Sequence, residues 1–162
     1  MISTNTFRKI KPIIFLAIIA PSFLWSFQLI NGSLGVNPIE KLMDNLGEMG
    51  LRLIIATLLI SSLSEFKKLR FLIDIRRMIG LFAFFYVSCH FLTYIALDHF
   101  FDISFIIKDI LKRPFITFGF LSFVLLIPLV ITSPKKILKK LGYNVWKKIH
   151  YLIYPAALLS SV

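Results

Sequence analysis

Apolar positions along this chain gather into long uncharged runs instead of alternating with polar ones. Residues 12–30 hold nineteen positions without a charge, and residues 78–97 and 114–133 hold twenty each. A helix needs about 20 apolar residues to cross the ~30 Å hydrocarbon core of a bilayer, so each run predicts a membrane span. A weaker run covers 53–64. It becomes long enough when carried back to Met49, with the long side chain of Arg52 snorkelling to an interface. A fifth apolar run begins at His150 and continues to Val162. As a helix it reaches about 20 Å, short of a full crossing. The pattern predicts an all-α integral membrane protein, a polytopic helical bundle forming a single domain. Full spans are expected at about 12–30, 49–64, 78–97 and 114–133, with a truncated fifth at 150–162.

Local chemistry refines the first of these spans. Pro21 sits in its middle and predicts a kink, which a membrane helix tolerates when neighbours satisfy the freed carbonyl. The bulky Phe23, Trp25 and Phe27 spoil a small-residue cleavage pattern, so a retained helix is expected there in place of a cleaved signal peptide.

Composition agrees with a membrane protein, since 57% of the residues are hydrophobic and seventeen are Phe. The net charge of +11 raises nucleic acid as a partner, but no soluble basic domain exists to bind it. The Lys and Arg residues lie instead in short segments between the apolar runs. If the segments alternate sides, fourteen fall with the N-terminus and the 134–149 loop, and five fall on the other side. The positive-inside rule then places the N-terminus in the cytoplasm, with lipid as the surrounding partner. The single Cys89 excludes an iron–sulfur cluster held by several thiolates, and its apolar surroundings suggest a small buried hydrophobe.

Three histidines are the candidate chemistry. His90 lies thirteen residues into the third run, in FYVSCHFLTY. An ionisable group that deep in a span is a functional-site candidate, and the competing reading is a neutral His hydrogen-bonded between helices. His150 opens the fifth run behind WKKI, where an interfacial role competes. His99, in the acidic segment LDHFFD, is expected to be solvated. Histidine ligation without a cysteine or carboxylate cluster suggests haem more than zinc. His90 and His150 lie on different spans, but their depths differ by about 18 Å, so they are expected in different leaflets. Arg76 and Arg77 before span three, and Arg113 before span four, are candidate clamps for haem propionates, because Arg pairs bidentately with carboxylates. Simple cytoplasmic anchoring is the alternative for the first two. No P-loop, dinucleotide fingerprint or HExxH motif is present, and no catalytic residue is assigned.

The order of four segments resembles the MsrQ (YedZ) family, the haem-binding membrane subunits of bacterial protein-methionine-sulfoxide reductase systems, within the ferric-reductase-like transmembrane group. They are NGSLGVNPIEKL, IRRMIGLFAFFYVSCHFLTY, KRPFITFGF and KKLGYNVWKKIHYLIY. The resemblance implies a six-helix protein of the bacterial inner membrane that binds b-type haem, with FMN described for family members. It implies electron transfer from quinol or a cytoplasmic flavin reductase to a periplasmic molybdenum-cofactor subunit that repairs oxidised methionine. His90 matches the family's span-three histidine and His150 its first span-five histidine. The second span-five histidine is expected one position past Val162, and a sixth span beyond that. Where the wider group carries a further histidine thirteen residues before His90, this chain has Arg77, so a second bis-histidine haem is not expected. Two other readings remain open: a transmembrane ferric or cupric reductase served by a partner flavin domain, and a structural subunit or small transporter without haem.

Overall fold

The computed structural model describes residues 4–64, 66 and 72–161. Glu65, Lys67, Lys68 and Arg70 of the expected basic segment, and Val162 of the expected fifth span, lie outside the described residues. The described elements are helical. In chain order they are α1 (Thr4–Ile30), α2 (Pro38–Leu63), α3 (Ile73–Thr93) followed by a π-helical turn (Tyr94–Asp98), α4 (Ile103–Lys112), α5 (Pro114–Ile131), α6 (Lys135–Leu141), α7 (Tyr143–His150) and α8 (Ile153–Leu159). Four segments are long and apolar enough to cross a membrane: Ile10–Ile30, Pro38–Leu63, Ile75–Asp98 and Pro114–Ile131. The chain is therefore an all-α, multi-pass membrane protein. It divides into two compact units, one ending at Thr93 and one beginning at Tyr94.

In the first unit α2 and α3 pack antiparallel along their lengths. Small residues let them approach, as membrane helices require when no hydrophobic effect drives them together. A Cβ added at Gly50 would stand 2.8 Å from Val87 Cγ2, one at Gly47 would stand 3.1 Å from the His90 ring, and one at Gly80 would meet Thr57 at 3.6 Å. Positions thus descend on α3 as they rise on α2. Leu42, Leu46, Leu53, Ile54 and Ile60 of α2, and Ile75, Ile79, Phe82, Ala83 and Tyr86 of α3, are buried. Helix α1 joins through Phe15, edge-on to Phe82 at 5.0 Å, and through Trp25, 6.1 Å from Tyr86.

Helix α1 runs unbroken across Pro12 and Pro21. Pro21 offers no N–H to its own turn. In the adjacent turn the fully buried Tyr86 hydroxyl donates to the Ile18 carbonyl at 2.5 Å.

Helix α2 begins at Pro38, eleven residues before the expected start of the second span. The added first half carries the charged Glu40, Lys41, Asp44 and Glu48, which an uncharged-run reading leaves out of a span. They lie on the outward side of an amphipathic first half whose inward side is Leu42, Leu46 and Gly50. Arg52 is held by Glu48 at 2.6 Å, with both side chains well exposed.

In the second unit Phe100 and Phe101 adopt left-handed backbone (φ 46° and 63°), which turns the chain out of the π-helical turn. Asp102 then caps α4 by accepting from the Phe105 N–H at 3.0 Å. Arg113 is extended, as a residue before proline prefers, and Pro114 opens α5 at the position where a missing N–H costs nothing. Ser122 and Ala156 bury the contact of α5 with α8. The Ser122 hydroxyl donates to the Ala156 carbonyl at 2.8 Å.

The fifth apolar run is not one helix. It breaks at Tyr151 and Leu152, between α7 and α8. Pro155 explains the break, because it has no N–H for the Tyr151 carbonyl and its ring crowds that group. The Tyr154 N–H takes that carbonyl instead, at 3.1 Å and three residues on.

Candidate functional site

The sequence singled out His90, and the structure gives it a defined setting. It sits one turn before the end of α3, half-buried, with its ring against Gly47 of α2. Its Nδ1 lies 2.8 Å from the carbonyl oxygen of Met43. A carbonyl can only accept, so Nδ1 carries the hydrogen and Nε2 carries the lone pair of the neutral ring. An interhelical hydrogen bond is what a purely packing histidine would make. The same bond is what an axial metal ligand needs, because it fixes the tautomer and raises the basicity of the other nitrogen.

His150 ends α7 in a related arrangement. Its Nδ1 donates to the Trp146 carbonyl one turn back, at 3.1 Å, which again assigns the lone pair to Nε2. The ring stacks on Trp146 with centroids 3.9 Å apart. Trp146 is anchored by its indole N–H to the Thr132 carbonyl at the end of α5, at 3.1 Å. The interfacial position expected from sequence thus has a rigid aromatic support.

His99 is not solvated, contrary to expectation. Only 16% of its side chain is exposed, and Nε2 lies 3.3 Å from Asp98 and 4.0 Å from Asp109. It packs on Tyr94 (4.5 Å, edge-on) and Phe105 (4.9 Å). Asp109 is the centre of this group. It is buried, accepts from the Tyr94 hydroxyl at 3.0 Å and pairs with Arg113 Nε at 2.8 Å. The π-helical turn sets His99 beside Tyr94, and the left-handed turn at Phe100 and Phe101 brings Phe105 and Asp109 of α4 back to it. The one signal in the sequence was the i,i+4 spacing of Asp109 and Arg113.

The arginines are placed as follows. Arg113 commits its Nε to Asp109, with 56% of its side chain exposed. Arg76 is half-buried and Arg77 exposed, both in the first turns of α3. They stand fourteen and thirteen residues before His90, about 20 Å along the helix. Cys89, beside His90, is a half-buried free thiol.

Comparison with known proteins bears on these residues. The model of the ferric reductase like transmembrane component matches residues 46–161, which include His90, His99 and His150. The chain is 45% identical over 150 residues to a protein of Herminiimonas arsenicoxydans, covering 93% of this chain and 69% of that one. It is 45% identical over 142 residues to a protein of Caulobacter vibrioides (88% and 68%). With a protein of Rhodospirillum rubrum it shares 42% over 146 residues (90% and 70%). All three are named protein-methionine-sulfoxide reductase heme-binding subunit MsrQ. This chain belongs to the MsrQ family, within the ferric-reductase-like transmembrane group. The family resemblance of the four sequence segments is thereby established. Of those MsrQ segments, IRRMIGLFAFFYVSCHFLTY forms most of α3 and carries the His90 setting, and KKLGYNVWKKIHYLIY carries that of His150. No solved structure matches the chain.

Proposed function

We propose that this chain is a haem-binding membrane subunit that carries electrons to a methionine sulfoxide reductase partner. The observation that carries the reading is the His90 setting: a histidine inside a span, its Nδ1–H held by a backbone carbonyl and its Nε2 lone pair oriented by that bond. The names of the relatives supply the system in which it works.

The donor set fits haem. Among the described residues no three His, Cys, Asp or Glu side chains converge on one point. A porphyrin brings its own four nitrogens and needs only an axial histidine. His90 is the proposed axial ligand in the first unit, and His150 a second candidate ligand in the other. Haem of b type would supply one-electron exchange between ferric and ferrous iron. The residues of the chain hold and orient it, with Gly47 and Met43 of α2 against the His90 ring. Arg76 and Arg77 lie too far along α3 to reach a propionate on a haem held by His90, so their proposed clamp would serve a group at the other end of that helix. Arg113 can serve only by sharing its guanidinium with Asp109.

Electrons would come from the quinone pool or a cytoplasmic flavin reductase. They would leave to a periplasmic molybdenum-cofactor subunit that reduces methionine sulfoxide in damaged proteins, so the substrate site lies on the partner. The location that follows is the bacterial inner membrane, with the N-terminus in the cytoplasm. FMN rests on the family resemblance alone.

A visible spectrum of the protein purified from haem-replete cells, before and after dithionite, tests the reading. Reduced bands of a b-type haem in stoichiometric amount support it. A colourless protein that has inserted correctly overturns it.

A further inference from the structure

Glycine in the middle of a helix is destabilising relative to alanine, so a glycine there calls for a packing reason. For Gly50 the reason is helix contact alone, because its missing Cβ makes room for Val87. Gly47 differs. The atoms nearest its missing Cβ belong to one ring: His90 Nδ1 at 3.1 Å, Cε1 at 3.3 Å and Cγ at 3.8 Å. Gly47 also stands one helical turn after Met43, whose carbonyl is the acceptor for His90 Nδ1. In an α-helix that carbonyl already faces the N–H of residue 47. The imidazole therefore shares an acceptor with the backbone at a point a side chain on residue 47 would cover.

We infer that Gly47 is a positioning residue: by leaving the Met43 carbonyl open to His90, it fixes the Nδ1–H tautomer and aims Nε2 as a ligand. The inference rests on the proposed haem function for its consequence, but the tautomer itself is a property of the protein without haem. A methyl group at 47 would sit 3.1 Å from Nδ1, tighter than nine in ten real Cβ contacts, so the ring must give by a few tenths of an ångström, and its bond to the Met43 carbonyl is strained or lost. Loss of the Nδ1–H···O bond weakens the electron donation of Nε2. Ferric iron is then less stabilised, and the midpoint potential rises.

Two measurements test this. The first uses the haem-free protein labelled with 15N-histidine, with His90→Gln assigning the His90 signals. The expected result is a neutral ring protonated at Nδ1. A ring protonated at Nε2 in the parent protein overturns the inference whether or not haem binds. The second compares Gly47→Ala with Gly80→Ala, whose added Cβ meets only Thr57 at an ordinary 3.6 Å. The expected result for Gly47→Ala is a mixed or inverted His90 tautomer without haem, together with a higher midpoint potential and altered electron paramagnetic resonance g-values with haem. Gly80→Ala should match the parent in all three. If Gly47→Ala matches the parent in all three, Gly47 is only a contact residue. A parent protein that shows the expected tautomer but takes up no haem refutes the proposed function and leaves the tautomer assignment standing.

Discussion

The hydroxyl of Tyr86 donates to the carbonyl of Ile18 across sixty-eight residues of chain, at 2.5 Å, and ties α1 to α3. Tyr86 is 0% exposed, so no lipid headgroup or water replaces the bond when it is lost. Tyr86→Phe keeps the ring contacts with Trp25 and Phe85 and removes only the hydroxyl. Hydrogen bonds between membrane helices contribute about 0.6 kcal/mol on average and up to about 1.7 kcal/mol. The expected outcome is a destabilisation of about 1 kcal/mol, read as a lower melting temperature in detergent with unchanged helical content. A variant as stable as the parent would show that the bond contributes nothing net.

Asp109 has the opposite balance, since its carboxylate is buried while its partner Arg113 reaches solvent. Removing the charge leaves Tyr94 and Arg113 with a weaker acceptor. Asp109→Asn should cost about 1.5–3 kcal/mol, the range for hydrogen bonds to charged groups. Arg113→Gln should cost less, about 0–1 kcal/mol, because that end of the pair is screened. Chemical denaturation of both variants checks the ranking. Equal costs would mean that the burial of Asp109 is not what matters.

The third prediction concerns sidedness. α6 carries Lys135, Lys136, Lys139 and Lys140, and α7 carries Lys147 and Lys148, all six exposed. By the positive-inside rule, the excess of Lys and Arg on this side predicts that it faces the cytoplasm. In a Cys89→Ser background, a cysteine at position 139 should resist a membrane-impermeant thiol reagent in intact spheroplasts and react after lysis. Labelling in intact spheroplasts would invert the proposed topology.

How much of this was legible in the sequence depended on what each feature is made of. α1, α3 and α5 announced themselves because an uncharged run of twenty residues has few alternatives to a membrane helix. α2 was read short because its charges were counted without regard to face. Leu42, Leu46, Gly50 and Leu53 repeat at helical spacing and would have recovered its first half. The fifth run was read as continuous because hydropathy does not register Pro155, whose missing N–H acts on the backbone. His90 was legible as an ionisable group inside a span. The carbonyl that orients it was not, because a backbone acceptor has no sequence signature. His99 was misplaced for a similar reason: its burial follows from two left-handed residues, Phe100 and Phe101, neither of a type that favours that conformation.

The last prediction separates ligation by His90 from packing by it. His90→Ala should remove most of the haem absorbance while the protein still inserts, since Met43 keeps its helical donor and no buried charge is exposed. A packing histidine could lose haem indirectly, through a shift of α2 against α3, so the alanine variant alone is not decisive. His90→Gly leaves a cavity of about the size of an imidazole beside Gly47, and imidazole added to the medium can enter it as a free ligand. Restoration of the reduced b-type bands by imidazole, and not by an equal concentration of a non-coordinating amide, is the expected result. His150→Ala, in the other unit, should keep the bands of a haem held by His90 and lose only those of a haem held by His150. Full haem retention in His90→Ala would remove His90 from the iron. Loss without rescue would make its contribution one of helix packing.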